Sequence, residues 1–227
     1  MNSNEKIIEK VIDFLTLVFI SVALYFTFIY APLEKVMGAI QKIFYFHVAS
    51  AWIAFFAFFI TFLFSIVVLI NEKKIYDEIA SSSAEIGIIF CTIVLITGPI
   101  WAKPVWGVWW TWDPRLTTTL VLWFIYVGYL MLRKFVDEDD KKAKFSAVVG
   151  IIGFIDVPIV FMSIRWWRTI HPNVLQKGGG GLHPDMLKAL IISVIAFTLL
   201  YLSMLFKRVK VGLLEDKIKY LETKIRY

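Results

Sequence analysis

Three histidines, nine tryptophans and a few arginines are distributed unevenly along this chain. His47 lies in "KIFYFHVASAW", His171 in "SIRWWRTIHP" and His183 in "GLHPD". Between the first two, "WAKPVWGVWWTWDPRLT" carries Trp101, Trp106, Trp109, Trp110 and Trp112. Imidazole nitrogens ligate metals, indole faces pack on flat apolar surfaces, and guanidinium forks pair with carboxylates. One ligand uses all three groups: an iron porphyrin has two apolar faces, two propionates and an iron that accepts axial imidazoles. Lys103, Arg115, Arg165 and Arg168 stand in the same stretches as candidate propionate partners. A metal held by side chains alone fits less well, because no Cys, Asp or Glu sits near these histidines at ligand spacing.

Each histidine also has an ordinary reading, His47 as a buried core residue and the two His-Pro residues as loop positions. Their confinement to the tryptophan-bearing connections favours ligation. Only two can be axial. His47 stands near a helix end and His171 closely follows "RWW", whereas His183 follows four glycines, 178–181, expected to make that loop loose, and is left out. The glycine run resembles no phosphate loop, since no strand precedes it and no Lys-Ser/Thr follows.

The elements that must position these groups are membrane spans. The chain has 227 residues, is 59% hydrophobic and has a mean hydropathy of +0.73, beyond the range of soluble domains. Apolar stretches at 11–31, 43–70, 86–100, 114–132, 145–164 and 187–206 are each near the ~20 residues a helix needs to cross hydrocarbon. The expectation is an all-α integral membrane protein, one six-helix domain over 1–227. The first span is too long for a signal peptide and lacks a small-residue cleavage site. With the N-terminus inside, sixteen of the 24 Lys and Arg fall on the inner side, which predicts both termini in the cytoplasm. The net charge of +6 is then a topology signal, and no soluble basic domain exists to bind nucleic acid. The lone Cys91, inside the third span, reads as a small apolar residue. The inner connections "NEKKIYDEIASSS" and "RKFVDEDDKKAK" read as solvated links.

This topology gathers all three histidines and seven tryptophans at the outer ends, with Trp52 just beneath. An interfacial aromatic belt alone would place tryptophans at both faces. If the chain stays helical after Pro104, then Trp106, Trp110, Asp113 and Thr117 share one side, which predicts a short amphipathic segment on the outer surface between helices 3 and 4, over about 99–117. Asp113-Pro114 reads as an N-cap and first helical residue, where the fourth span begins. Asp156 is a carboxylate deep in an apolar segment; a functional role is one reading, and a protonated carboxyl bonding the carbonyl freed by Pro158 is the structural one. The tail, about 207–227, spaces Leu214, Ile218, Leu221 and Ile225 as an amphipathic helix, lying on the membrane surface or making a coiled contact with a partner.

"WGVWWTWDPRLT", with "KIFYFHVASAW" and "SIRWWRTIHP" in a six-span chain, resembles the WWD-domain haem-handling family of cytochrome c biogenesis, and within it most the haem exporter protein C branch. The resemblance covers the chain from first span to sixth. It implies a WWD segment on the outer surface that holds non-covalent haem b, with site residues Trp106, Trp109, Trp110, Trp112 and Asp113. It implies His47 and His171 as axial iron ligands and Arg115 as a propionate anchor. It implies no enzyme, but a haem-presenting subunit in a bacterial inner membrane. Its partners would be the ATPase and membrane subunits of an ABC transporter, a small single-helix subunit and a membrane-anchored periplasmic haem chaperone. ATP would be used by another chain, since no nucleotide motif is present.

Three other classes compete. A small-solute transporter subunit without haem would show polar bundle-lining residues and broken helices in matching halves, which only Asp156 and Pro158 resemble. A quinone-linked redox subunit would place paired histidines well inside its helices. A haem-thioether ligase component would carry more spans and a large outer domain.

Overall fold

Hydrocarbon leaves a backbone no solvent to bond, so apolar segments of this length close their hydrogen bonds as helices. The computed structural model describes residues 3–169, 171 and 182–226; the glycine run 178–181 lies outside them. Seven α-helices follow in order: α1 Ser3–Tyr25, α2 Lys42–Ile70, α3 Lys74–Trp106, α4 Pro114–Phe135, α5 Asp139–Phe154, α6 Asp156–Trp166 and α7 Pro184–Arg226. A π-turn, Phe26–Tyr30, ends the first span. Six stretches are long and apolar enough to cross a membrane, α5 and α6 together forming the fifth.

The α2–α3 hairpin is the centre of the bundle, with α7 on one side and α4 and α5 on the other, while α1 packs on α7. Small residues let α2 and α3 approach closely. A Cβ on Gly87 would stand 2.6 Å from the Phe58 ring. Ser83 donates to the Ala57 carbonyl (2.7 Å), and Thr61 to that of Ala80 (3.2 Å). Phe58 stacks on Tyr126 of α4 with centroids 3.7 Å apart, and Ser83 bonds the Tyr201 hydroxyl of α7 at 2.7 Å. One hairpin thereby registers both flanking layers.

The end of the bundle that carries both terminal segments departs from expectation. Only residues 71–73 form the first inner connection; the rest of "NEKKIYDEIASSS" belongs to α3. Asp77 and Glu78 are not on a solvated link. Arg133 of α4 grips Asp77 through two bonds of 2.6 and 2.8 Å, and Glu78 is buried. A guanidinium out of water demands such a fork, which the charge count alone does not reveal.

The tail begins no new element. It continues α7, a 43-residue helix about 64 Å long. Arg208 binds Glu85 (2.6 Å), Lys74 binds Asp216 (2.8 Å) and Lys219 binds Asp139 (3.4 Å), tying this extension to α3 and α5. Its apolar stripe stays exposed. Asp13 of α1 meets Ser203 and Lys207, and Glu9 meets Lys210, so the two terminal segments share one end of the bundle.

The fifth span breaks at Ile155, whose N–H closes a tight turn onto the Ile152 carbonyl (3.1 Å). Pro158 has no N–H with which to continue the ladder. Asp156 Oδ2 is buried without a hydrogen-bond partner, so that oxygen does not make the expected bond to a freed carbonyl. At the opposite end, the Glu34 carboxylate accepts from the N–H groups of Met37 (2.5 Å) and Val36 (2.7 Å), which holds its pKa below the usual value.

Gly87→Val forces Phe58 off Tyr126 and is expected to cost about 1–3 kcal/mol. Thermal unfolding in detergent checks it: a lowered Tm is predicted, and an unchanged Tm contradicts the close approach of α2 and α3.

Candidate functional site

His47 lies little more than one turn inside α2. The register of the hairpin sets Thr97 of α3 against it, with Nδ1 to Oγ1 at 2.9 Å. The Thr97 hydroxyl itself donates to the Ile93 carbonyl at 2.7 Å. Its oxygen is therefore left to accept, Nδ1 carries the proton, and Nε2 keeps a free lone pair. Gly98 stands next to it, where a Cβ would meet His47 Cε1 at 3.5 Å, an ordinary contact.

His171 comes from the connection after α6 and is held by a relay. Its N–H donates to Thr169 Oγ1 (3.0 Å), whose hydroxyl donates to Asp113 Oδ2 (2.6 Å). The other Asp113 oxygen accepts the Arg115 N–H (3.0 Å), capping α4 with Pro114 in the first helical position. One buried carboxylate thus starts the fourth span and fastens the third outer connection to the second. The His171 ring meets Trp106 edge-on at 6.2 Å. Burial, with the nearby Arg115 guanidinium, pushes the His171 pKa down to about 3. The imidazole is neutral at physiological pH, with a lone pair for a metal.

His47 and His171 line a single cavity of about 680 Å³, within the range of cofactor and small-molecule sites. Trp101, Trp106, Arg115 and Arg165 share its wall, Cys91 and Thr119 lie deeper, and aliphatic side chains of α7 close one side. Among the described residues no group of three or more His, Cys, Asp or Glu is arranged to hold a metal ion. The chemistry assembled is two imidazoles in an apolar, indole-walled chamber with guanidiniums in its lining.

The cavity brings together His47, His171, Trp106 and Arg115 of the sequence-derived set. Trp109, Trp110, Trp112 and Asp113 are not on its wall. The chain does not stay helical after Pro104 beyond Trp106: Gly107 adopts φ +78°, its carbonyl accepts from the Lys103 ammonium at 2.9 Å, and 107–113 is irregular. A left-handed glycine stops the helix, so the expected amphipathic helical face is not formed. Trp109 and Trp112 are 59% and 75% exposed, and Trp110 meets Trp112 edge-on. His183 is exposed, absent from the wall, and accepts the Asp185 N–H at 3.3 Å where α7 begins.

Thr97, Gly98 and Thr169 escaped the sequence reading. "TG" inside a span is a weak signal, and nothing in one sequence pairs position 97 with 47. Leu187, Leu190, Ile191, Val194 and Ile195 do keep helical spacing, but α7 is apolar all round, so no face stood out.

The fold and cavity define a multi-pass helical membrane protein with two imidazoles in a cofactor-sized, aromatic chamber. The family model described as Heme exporter protein C matches residues 2–224. Similar proteins include Heme exporter protein C of Bradyrhizobium diazoefficiens, 32% identical over 209 residues (91% of this chain, 79% of that one). The protein of the same name from Haemophilus influenzae is 31% identical over 208 residues (91% and 85%). That of Escherichia coli K12 is 31% identical over 181 residues (80% and 74%). The chain belongs to the haem exporter protein C family.

Asp113→Ala removes a cap and leaves the Thr169 hydroxyl without its acceptor. The expected loss is about 1–2 kcal/mol, with faster amide exchange at His171 than at the helix cores. Unchanged exchange there would contradict the relay.

Proposed function

We propose that the chain holds haem b non-covalently in this cavity and presents it, at the periplasmic face of a bacterial inner membrane, for c-type cytochrome maturation. The observation that carries the reading is the convergence of His47 and His171, from separate outer segments, on one apolar chamber. Family membership supports the cargo. Both termini are cytoplasmic in this reading, following the lysine and arginine distribution.

His47, its tautomer fixed by Thr97, offers Nε2 to the iron, and His171 offers a neutral imidazole from the connection held by Asp113. Haem supplies the iron and two carboxylates. Arg115 would pair with a propionate, and Trp101 and Trp106 would pack on the macrocycle. Trp109 and Trp112, exposed on the irregular loop, form an aromatic rim that a membrane-anchored periplasmic haem chaperone would meet. Release is assigned to the ATPase and membrane subunits of an ABC transporter and a small single-helix subunit, because this chain has no nucleotide motif. The chain is a holder and presenter, not a catalyst.

Absorption spectra of the purified protein, oxidised and reduced, test this. A low-spin bis-imidazole spectrum is expected for wild type and for His183→Ala, and its loss in His47→Ala and His171→Ala. Disruption by His183→Ala would contradict the assignment, and absence of haem even in the intact complex would favour a solute-transporter subunit.

Thr97→Val removes the partner of an iron ligand and is expected to weaken haem affinity about tenfold or more while keeping the low-spin spectrum. Unaltered affinity in a haem titration would show that Thr97 does not set the His47 ring.

A further inference from the structure

We propose that the cavity opens sideways to the lipid between α6 and α7, and that haem passes through this gap from the outer half of the bilayer; this rests on reading the cavity as a haem site. The two helices flanking it are held by different neighbours, α6 by α4 and α5, α7 by α1, α2 and α3. Their facing sides both line the cavity, Phe161 and Arg165 from α6, Ile191 and Ile195 from α7. These lining residues are also surface residues: Phe161 is 49% exposed, Ile191 50%, Ile195 41%, and Trp52 of α2 47%. Part of that surface faces the chamber itself, and the gap is set by packing: α6 rests on α4 and α5, and no packed seam joins it to α7 among the described residues. Trp52 forms the lower sill, its indole N–H donating to Thr198 Oγ1 of α7 at 3.2 Å.

Depth decides which phase the gap meets. Ile195 lies about 16 Å below the start of α7 and Trp52 about 15 Å below that of α2, at 1.5 Å per residue. Both are near the middle of a hydrocarbon layer about 30 Å thick, so the opening faces acyl chains. Its polarity is graded like the ligand. Arg165 and Arg115 stand near the ends of α6 and α4 that carry the histidine-bearing connections, and the lining side chains below them on the two flanks, Phe161, Ile164, Ile191 and Ile195, are apolar. An amphiphile with carboxylates at one edge and an apolar body sits in a leaflet in that same orientation, and slides in without turning over.

The test is haem transfer from haem-loaded phosphatidylcholine vesicles to the full-length protein in nanodiscs, followed by the Soret change. Ile191→Trp and Ile195→Trp are each expected to slow uptake about tenfold. Leu24→Trp, on the lipid-facing side of α1, should leave the rate unchanged. Ile195→Ala, which adds no bulk, should take up haem faster than wild type. Wild-type rates in all three gap variants, with normal final spectra, overturn the lateral opening and leave the haem site standing. No Soret change in wild type rejects the haem site itself.

Discussion

The close approach of α2 and α3 sets where every other helix can lie. In lipid, helices gain nothing from burying apolar side chains against one another, so packing density and interhelical hydrogen bonds must hold the bundle. Gly87 admits Phe58, Phe58 stacks on Tyr126, and Ser83 reaches both the Ala57 carbonyl and the Tyr201 hydroxyl. The same antiparallel register, followed to the outer end, delivers Thr97 to His47. A contact made for stability at mid-membrane thus fixes the tautomer of a candidate iron ligand several turns away.

The second imidazole depends on a different device. His171 belongs to no helix, and its position comes from Thr169 and Asp113. The aspartate of the tryptophan-rich motif stands outside the cavity wall. It joins the start of α4 to the segment that carries His171, and its other oxygen accepts from the adjacent Arg115 N–H. Stability of the fourth span and placement of the ligand are coupled through one carboxylate.

Much of this was legible from sequence, and the exceptions have physical causes. Six spans follow from hydropathy, because hydrocarbon thickness fixes helix length. His47, His171 and Arg115 stood out because polar groups at the ends of apolar spans are few. Asp113-Pro114 announced its cap directly. The tryptophan segment misled, since its helical spacing was real as far as Trp106 and irrelevant beyond Gly107, where one backbone conformation ended the helix. The tail's stripe described a helix correctly, and ion pairs of Arg208, Lys74 and Lys219 tie that helix, as a continuation of α7, to α3 and α5. Partners distant in sequence, Thr97 for His47 and Arg133 for Asp77, require three-dimensional register that one chain does not print.

Function then follows from a division of labour within one chamber. Rigid helices supply His47, the indoles and the apolar walls, a tethered connection supplies His171, and the gap between α6 and α7 connects the chamber with the lipid. The central claim is that two imidazoles of this chain take the same iron. The most direct measurement is low-temperature EPR with hyperfine spectroscopy of the haem-loaded protein, carrying ¹⁵N-labelled histidine in a His183→Ala background. Couplings from two imidazole nitrogens bound to one low-spin iron are predicted; couplings from one, or none, would contradict the paired ligation.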